Sequence, residues 1–249
     1  MAARRVLILG GTTEAAALAR ALAQRADVDV TTSFAGRTRA PVAPAGRTRV
    51  GGFGGADGLA AHLRDEGVDV LIDATHPFAA QMRWHAASAA RAVGTPRLRV
   101  ERPGWEVAPG DTWLRVQDLA GAAHAVTAGG YRRVLLTTGR TELAPFTNCP
   151  DVWFLVRSIE APDPQPLPRA EVVLDRGPFT VAGERSLMAE HHVDALVTKD
   201  SGGEATAAKL VAARELGVPV IMVDRPPSPA GAIARSVDEA LRWVEVVLA

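Results

Sequence analysis

Cysteine is almost missing from this sequence. Cys149 is the single one in 249 residues, so no intrachain disulfide and no cysteine-based metal site can form. Long apolar runs are missing too. Val6–Leu9 stops after four residues at Gly10-Gly11, too short for the core of a signal peptide, and Arg20 and Arg25 interrupt the alanine-rich stretch beyond it. The expectation is a cytoplasmic protein with no membrane partner. A surplus of charge is also lacking, since the formal net charge is zero. That excludes a global basic field for nucleic acid and leaves any acidic substrate to local arginines. Lysine is confined to Lys199 and Lys209, and every other basic side chain is arginine, which suits bidentate capture of carboxylates and phosphates. A GC-rich genome is the bland explanation of that bulk count. No G-x-S-x-G elbow, H-E-x-x-H or P-loop lysine motif occurs. Asp73 has no second carboxylate close in sequence, so no metal is expected.

What is present is alternation. Strand-like segments recur at Val6–Leu9, Val28–Thr32, Val70–Ile72 and Arg97–Val100, with Arg49-Val50 a further candidate after the second. Helical stretches at about 13–25, 57–66 and 77–93 separate them, with Pro77 placed in the first turn of the last. The pattern lapses over Arg102–Trp113, which carries Pro103, Gly104, Pro109 and Gly110, so a domain boundary is expected there. A second series follows. Strands are expected at 133–137, 152–156, 172–174, 195–198 and 218–223, and helices at 117–128, 181–191, 204–216 and 237–248. The segment with Pro162, Pro164, Pro166 and Pro168 reads as an extended loop, because proline cannot donate to a central ladder. Alternation of this kind predicts an α/β fold with mainly parallel sheets, divided into domains 1–112 and 113–249.

The first strand-to-helix turn has the chemistry of a dinucleotide site. Gly10 and Gly11 let backbone approach a pyrophosphate, the helix start offers N–H groups, and Thr12 and Thr13 add hydroxyl donors or a cap. The third glycine of the usual fingerprint is absent. A tight turn without ligand is the plain alternative. After the second strand come Ser33, Arg37 and Arg39 with no acid among them, which favours a 2′-phosphate and so NADPH over NADH. Asp29 is the counterweight, placed early in the strand.

Ligands of open α/β sheets bind beyond the carboxyl ends of the strands. Four strand ends carry polar or glycine-rich sequence: Asp73-Ala74-Thr75-His76-Pro77-Phe78-Ala79, Thr137-Thr138-Gly139-Arg140, Thr198-Lys199-Asp200-Ser201-Gly202-Gly203 and Asp224-Arg225-Pro226. Together with Ile8-Leu9-Gly10-Gly11-Thr12-Thr13-Glu14, these motifs in this order resemble the precorrin-6A reductase family of corrin biosynthesis, over nearly the whole chain.

The resemblance implies two Rossmann-like domains with the active site in the cleft between them. The first would bind NADPH, and the second would contribute to tetrapyrrole binding. It implies an oxidoreductase acting on a CH–CH bond, with precorrin-6A reduced to precorrin-6B, and it leaves room for handover to other corrin-pathway enzymes. The residues fit such an anionic substrate. Lys199, Ser201, Gly202 and Gly203 form a loop ahead of a helix, a natural carboxylate site. Arg225, Arg140 and Thr75 are further substrate candidates, and Asp73 and Thr75 are candidates for the cofactor. His76 and Lys199 are the candidate catalytic groups. His76 is placed to give a proton, although a ring nitrogen of the macrocycle can accept that proton unaided, and a backbone-bonded loop histidine is the plainer reading. Two other classes compete: an S-adenosylmethionine-dependent methyltransferase, whose cofactor also uses glycine-rich first loops, and a non-catalytic NADP sensor.

Overall fold

A computed structural model describes residues 3–34 and 45–249. Arg37 and Arg39 lie outside the described residues. The chain divides into two compact units, one of residues 1–103 with 227–249 and the other of residues 104–226.

The first unit runs β1 (Arg4–Leu9), α1 (Thr13–Leu22), β2 (Val28–Phe34), β3 (Arg47–Val50), α2 (Gly55–Asp65), β4 (Val70–Asp73), α3 (Ala80–Val93) and β5 (Arg97–Val100). It is completed by β12 (Ala232–Ala234) and α7 (Val237–Leu248). Among the described residues six strands pair in parallel in the order β3-β2-β1-β4-β5-β12. Successive residues of central β1 point to opposite faces. Val6 and Ile8 enter a core with Leu18, Leu22 and Val244, while Leu7 and Leu9 enter another with Leu59, Leu63 and Ala86. A parallel strand buried on both faces reads as a continuous apolar run, which is why Val-Leu-Ile-Leu identifies it.

The second unit runs β6 (Trp113–Val116), α4 (Leu119–Ala128), β7 (Arg133–Leu136), a 3-10 turn (Ala144–Asn148), β8 (Trp153–Ser158) and β9 (Ala170–Leu174). Then come α5 (Val181–Glu190), β10 (Ala195–Lys199), a 3-10 turn (Glu204–Thr206), α6 (Ala208–Leu216) and β11 (Val220–Val223). All its strands are parallel, in the order β9-β8-β7-β10-β11-β6. Threonine, aspartate and serine cap the helix starts. Thr12, Asp118, Thr180 and Ser236 each accept from the amide three residues on.

Each sheet has the doubly wound 3-2-1-4-5-6 order. What differs is where the sixth strand comes from. In the first sheet it is β12, late in the chain, and in the second it is β6, first in its unit. The amide after each fifth strand bonds the end of its sixth: Glu101 N–H donates to Ala234 O at 2.9 Å, and Asp224 N–H to Val116 O at 2.8 Å. The registers therefore equate Val100-Glu101-Arg102-Pro103 with Val223-Asp224-Arg225-Pro226, a short repeat at the two points where the chain changes unit.

Several expectations are corrected. The chain leaves the first unit after Pro103, not at 112/113, and returns to it at Pro227, because both sixth strands are edge additions to a sheet begun elsewhere. β6 and β12 were not predicted. Helix α3 begins at Ala80, so Pro77 precedes it instead of occupying its first turn. The stretch after Gly203 is a 3-10 turn, and α6 begins only at Ala208. Among the described residues no helix is long and apolar enough to cross a membrane.

Lys209 of α6 is buried. Its Nζ donates to Thr206 O at 2.6 Å and lies 4.5 Å from the centroid of the Trp105 ring. Burial, then the charge of Arg157, push its pKa down to about 7, against the opposing pull of Glu184. An unfolded lysine titrates at about 10.4. The folded chain thus binds fewer protons between those values, and stability rises with pH across that window. Lys209→Met is expected to raise the melting temperature relative to wild type at about pH 6, with the gain shrinking toward about pH 10. Thermal melts of both proteins across that range check it.

Candidate active site

Parallel pairing brings the strand-end residues of each sheet to one edge. In the first unit, β1 ends beside β2 and β4, with Leu9 in register with Ser33 and with Asp73. Gly10 follows. A Cβ there would stand 2.7 Å from Thr32 Cγ2 and 3.5 Å from Phe34 Cε1, so the turn admits only glycine. Gly11 has φ +115° and faces open space. Thr12 does not present its hydroxyl outward. Its Oγ1 donates to Ala74 O at 2.8 Å and accepts from Ala15 N–H at 3.2 Å, tying the turn to the end of β4 while it caps α1. Thr13 Oγ1 donates to Glu14 Oε2 at 3.1 Å. Glu14 is also paired with Arg102 Nη1 at 2.8 Å. Burial acts to raise the Glu14 pKa, but its own backbone amide and Arg102 together hold it below the usual carboxylate range.

Asp73 and Thr75 lie at the same edge. Asp73 has no exposed surface, so it is not a surface acid offered to a ligand. Its Oδ1 accepts from Thr75 N–H at 3.1 Å, from Thr75 Oγ1 at 2.7 Å and from Arg99 Nη1 at 2.8 Å. Arg99, itself buried, also reaches Thr75 Oγ1 at 3.1 Å and Glu101 at 3.3 Å. His76 Nδ1 accepts from Phe78 N–H at 3.2 Å, which puts the neutral ring's proton on Nε2. Its backbone bond is the plainer arrangement expected for a loop histidine. Arg83, fully buried on α3, donates to Pro77 O and to Ser228 Oγ, so the loop after His76 is braced from below.

In the second unit the register places Thr137-Thr138-Gly139 where the first has Leu9-Gly10-Gly11. Gly139 has φ +102°, close to that of Gly11. The helix is absent, however. Only the five-residue 3-10 turn 144–148 follows, and charged residues occupy the approach. Arg140 pairs with Glu160 at 2.9 Å, and Lys199 pairs with Glu142. Asp200 is buried and accepts from Trp105 N–H at 2.9 Å and Arg115 Nη2 at 2.9 Å, while its carbonyl accepts from Arg225 Nε at 2.8 Å. Ser201 N–H donates to Lys199 O at 2.7 Å, and Gly202 takes φ +67°. A 3-10 turn and not an α-helix follows Gly203, so no α-helix start opens directly onto this loop.

The structure thus gathers Gly10, Gly11, Thr12, Thr13, Ser33, Asp73, Thr75 and His76 at one sheet edge. It gathers Arg140, Lys199, Ser201, Gly202, Gly203 and Arg225 at that of the other unit. Sequence reasoning missed Arg99, Glu142, Glu160 and the Asp200 hub. Two of these carried a signal, Arg99 as one of two charges in the strand 97–100 and Asp200 as a member of the Thr198–Gly203 strand end.

Comparison with known proteins agrees with the motifs. Residues 5–245 match the family described as precorrin-6x reductase CbiJ/CobK. A precorrin-6A reductase from Rhodococcus erythropolis is 50% identical over 241 residues, covering 96% of this chain and 97% of its own. The solved structure of CobK precorrin-6A reductase has a TM-score of 0.91 at 44% identity, covering 98% of this chain and 97% of that one. A cobalt-precorrin-6A reductase from Priestia megaterium is 30% identical over 253 residues, covering 95% of this chain and 96% of its own. Motif order, doubled fold and near full-length identity converge: the chain belongs to the precorrin-6x reductase family, CbiJ/CobK.

Proposed function

We infer that this protein is a cytoplasmic precorrin-6A reductase that uses NADPH to reduce one double bond of the macrocycle, giving precorrin-6B. The observation that carries the reading is the half-identity to a precorrin-6A reductase across nearly the whole of both chains. Reduced nicotinamide, when bound, supplies the hydride. The chain's own contribution is to hold and orient two anionic molecules and to exclude water.

The first unit fits the dinucleotide. Of two equivalent strand-to-glycine turns, only Gly10-Gly11 opens a full helix, of ten residues, with an amide-rich start and a threonine cap. Gly10, Gly11, Thr12 and Thr13 cradle the diphosphate through backbone amides. Ser33, with Arg37 and Arg39, takes the 2′-phosphate. Asp73 acts as a positioning group that accepts the Thr75 amide and hydroxyl and so fixes the start of the loop that carries His76.

The second unit fits the tetrapyrrole. Its acetate and propionate groups meet Arg140, Lys199, Arg225 and the amides of Ser201–Gly203. Lys199 and Arg140 are held in place by acidic neighbours, so an incoming carboxylate meets cations already oriented. His76, with its proton on Nε2, and Lys199 are the candidate side chains to hold or supply the proton that accompanies the hydride. The metal-free macrocycle is the proposed substrate, since the relative named for it shares 50% identity and the cobalt-named relative 30%.

Purified protein mixed with NADPH and precorrin-6A is expected to consume one NADPH per macrocycle, followed by nucleotide absorbance and product mass. Cobalt-precorrin-6A should turn over with a lower kcat/KM. Binding of S-adenosylmethionine with no binding of NADPH would overturn the assignment. Lys199→Met is expected to raise KM for precorrin-6A about tenfold, the loss of one charge-assisted hydrogen bond, and to leave KM for NADPH unchanged. Arg99→Met strands the buried Asp73 carboxylate and is expected to cost ~3–5 kcal/mol in urea unfolding.

A further inference from the structure

The carboxyl end of β2 holds a cation that the motif reading did not single out. Arg49 of β3 is in register with Ser33, the next-to-last residue of β2. Its guanidinium is fixed on several sides. Nη1 donates to Gly51 O at 2.6 Å and lies 3.4 Å from Ser33 Oγ, and Nη2 donates to Gly52 O at 2.8 Å. Its carbon sits 3.9 Å from the centroid of the Phe53 ring, which in turn packs against His62 at 5.1 Å between ring centres.

The neighbouring arginine makes an informative contrast. Arg47, two residues earlier, is paired with Asp29 at 2.6 Å near the start of β2. Asp29 is the acid that would have marked an NAD site, and it is tied up at the wrong end of the strand. Arg49, at the right end, is held among the described residues by neutral acceptors. No carboxylate of the described residues lies within ion-pair distance of it. Neutral carbonyls and an aromatic face orient a guanidinium without cancelling its charge. Gly51, with φ +122°, turns the chain so that its carbonyl reaches back to the guanidinium. The end of the second strand is where folds of this order meet the ribose of a bound dinucleotide.

We propose that Arg49, with Ser33 beside it, holds the 2′-phosphate of the cofactor and sets the preference for NADPH over NADH. The proposal rests on the dinucleotide reading of the Gly10–Thr13 turn. It adds a specificity residue to the three already assigned there.

The test compares adenosine 2′,5′-bisphosphate with adenosine 5′-monophosphate by calorimetry, on wild type, Arg49→Gln and Arg49→Lys, with thermal melts to establish folding. Wild type is expected to prefer the 2′-phosphorylated nucleotide by roughly a hundredfold, as charge-assisted contacts to one phosphate supply. Arg49→Gln should bring that ratio to within a few-fold by weakening the 2′-phosphorylated ligand alone. Arg49→Lys should restore part of it, as a point charge without the fork. Equal weakening of both nucleotides by Arg49→Gln would mark the residue as mere support for the glycine loop and overturn the proposal. An unchanged ratio in Arg49→Gln would overturn it too. A wild type with no preference also overturns it. In that last case, turnover of precorrin-6A with NADH would leave the reductase assignment standing, and absence of turnover with either nucleotide would remove both.

Discussion

Parallel strand pairing is the constraint on which everything else in this molecule depends. Among the described residues every strand pair in both sheets is parallel. Parallel strands need crossovers, crossovers bury both faces, and the carboxyl ends then lie together at one edge. Residues as distant in sequence as Gly10, Ser33 and Asp73 become neighbours by register alone. The loops at that edge are freed from core packing and are the natural place for chemistry.

The two units share one plan and have diverged at one point. Gly11 and Gly139 occupy equivalent turns with similar backbone, yet only the first opens a full helix. A helix start favours a diphosphate through its amides and its dipole. Replacing that helix with Arg140, Glu142 and a 3-10 turn exchanges a fixed dipole for cations held by acidic neighbours. Charge at these edges is managed by pairing. The Asp73–Arg99 pair is buried and turns its geometry into the placement of Thr75, while the Lys199–Glu142 and Arg140–Glu160 pairs are more open. A deeply buried pair fixes structure, whereas a partly open one leaves its cation able to exchange partners.

Much of the fold was legible because central strands and capped helices carry local signals. Arg97–Val100 and Val237–Leu248 fall where the pattern put them, the first marked by a preceding proline and the second by Ser236. The strands β6 and β12 escaped for a physical reason. Each is a short edge strand with only one neighbour, so neither needs a buried apolar run, and Leu114 and Ile233 are exposed. The domain break was misplaced for the same reason, because the chain crosses between units where it joins an edge. The helix expected directly after Gly203 failed because the amphipathic pattern of 204–216 does not distinguish a 3-10 turn from the first turn of an α-helix.

By itself the sequence determined the fold class, the glycine turn at Gly10-Gly11 and the chemical character of each strand end, since these depend on residues adjacent in the chain. Tertiary structure alone decided the partners. That Thr12 caps and bridges, that Asp73 is sealed against Arg99, that Lys199 meets Glu142 and that Arg49 stands beside Ser33 are consequences of strand register, which joins residues 16 to 62 positions apart. Local propensity carries no information about such distances. Only the packing of parallel strands fixes them.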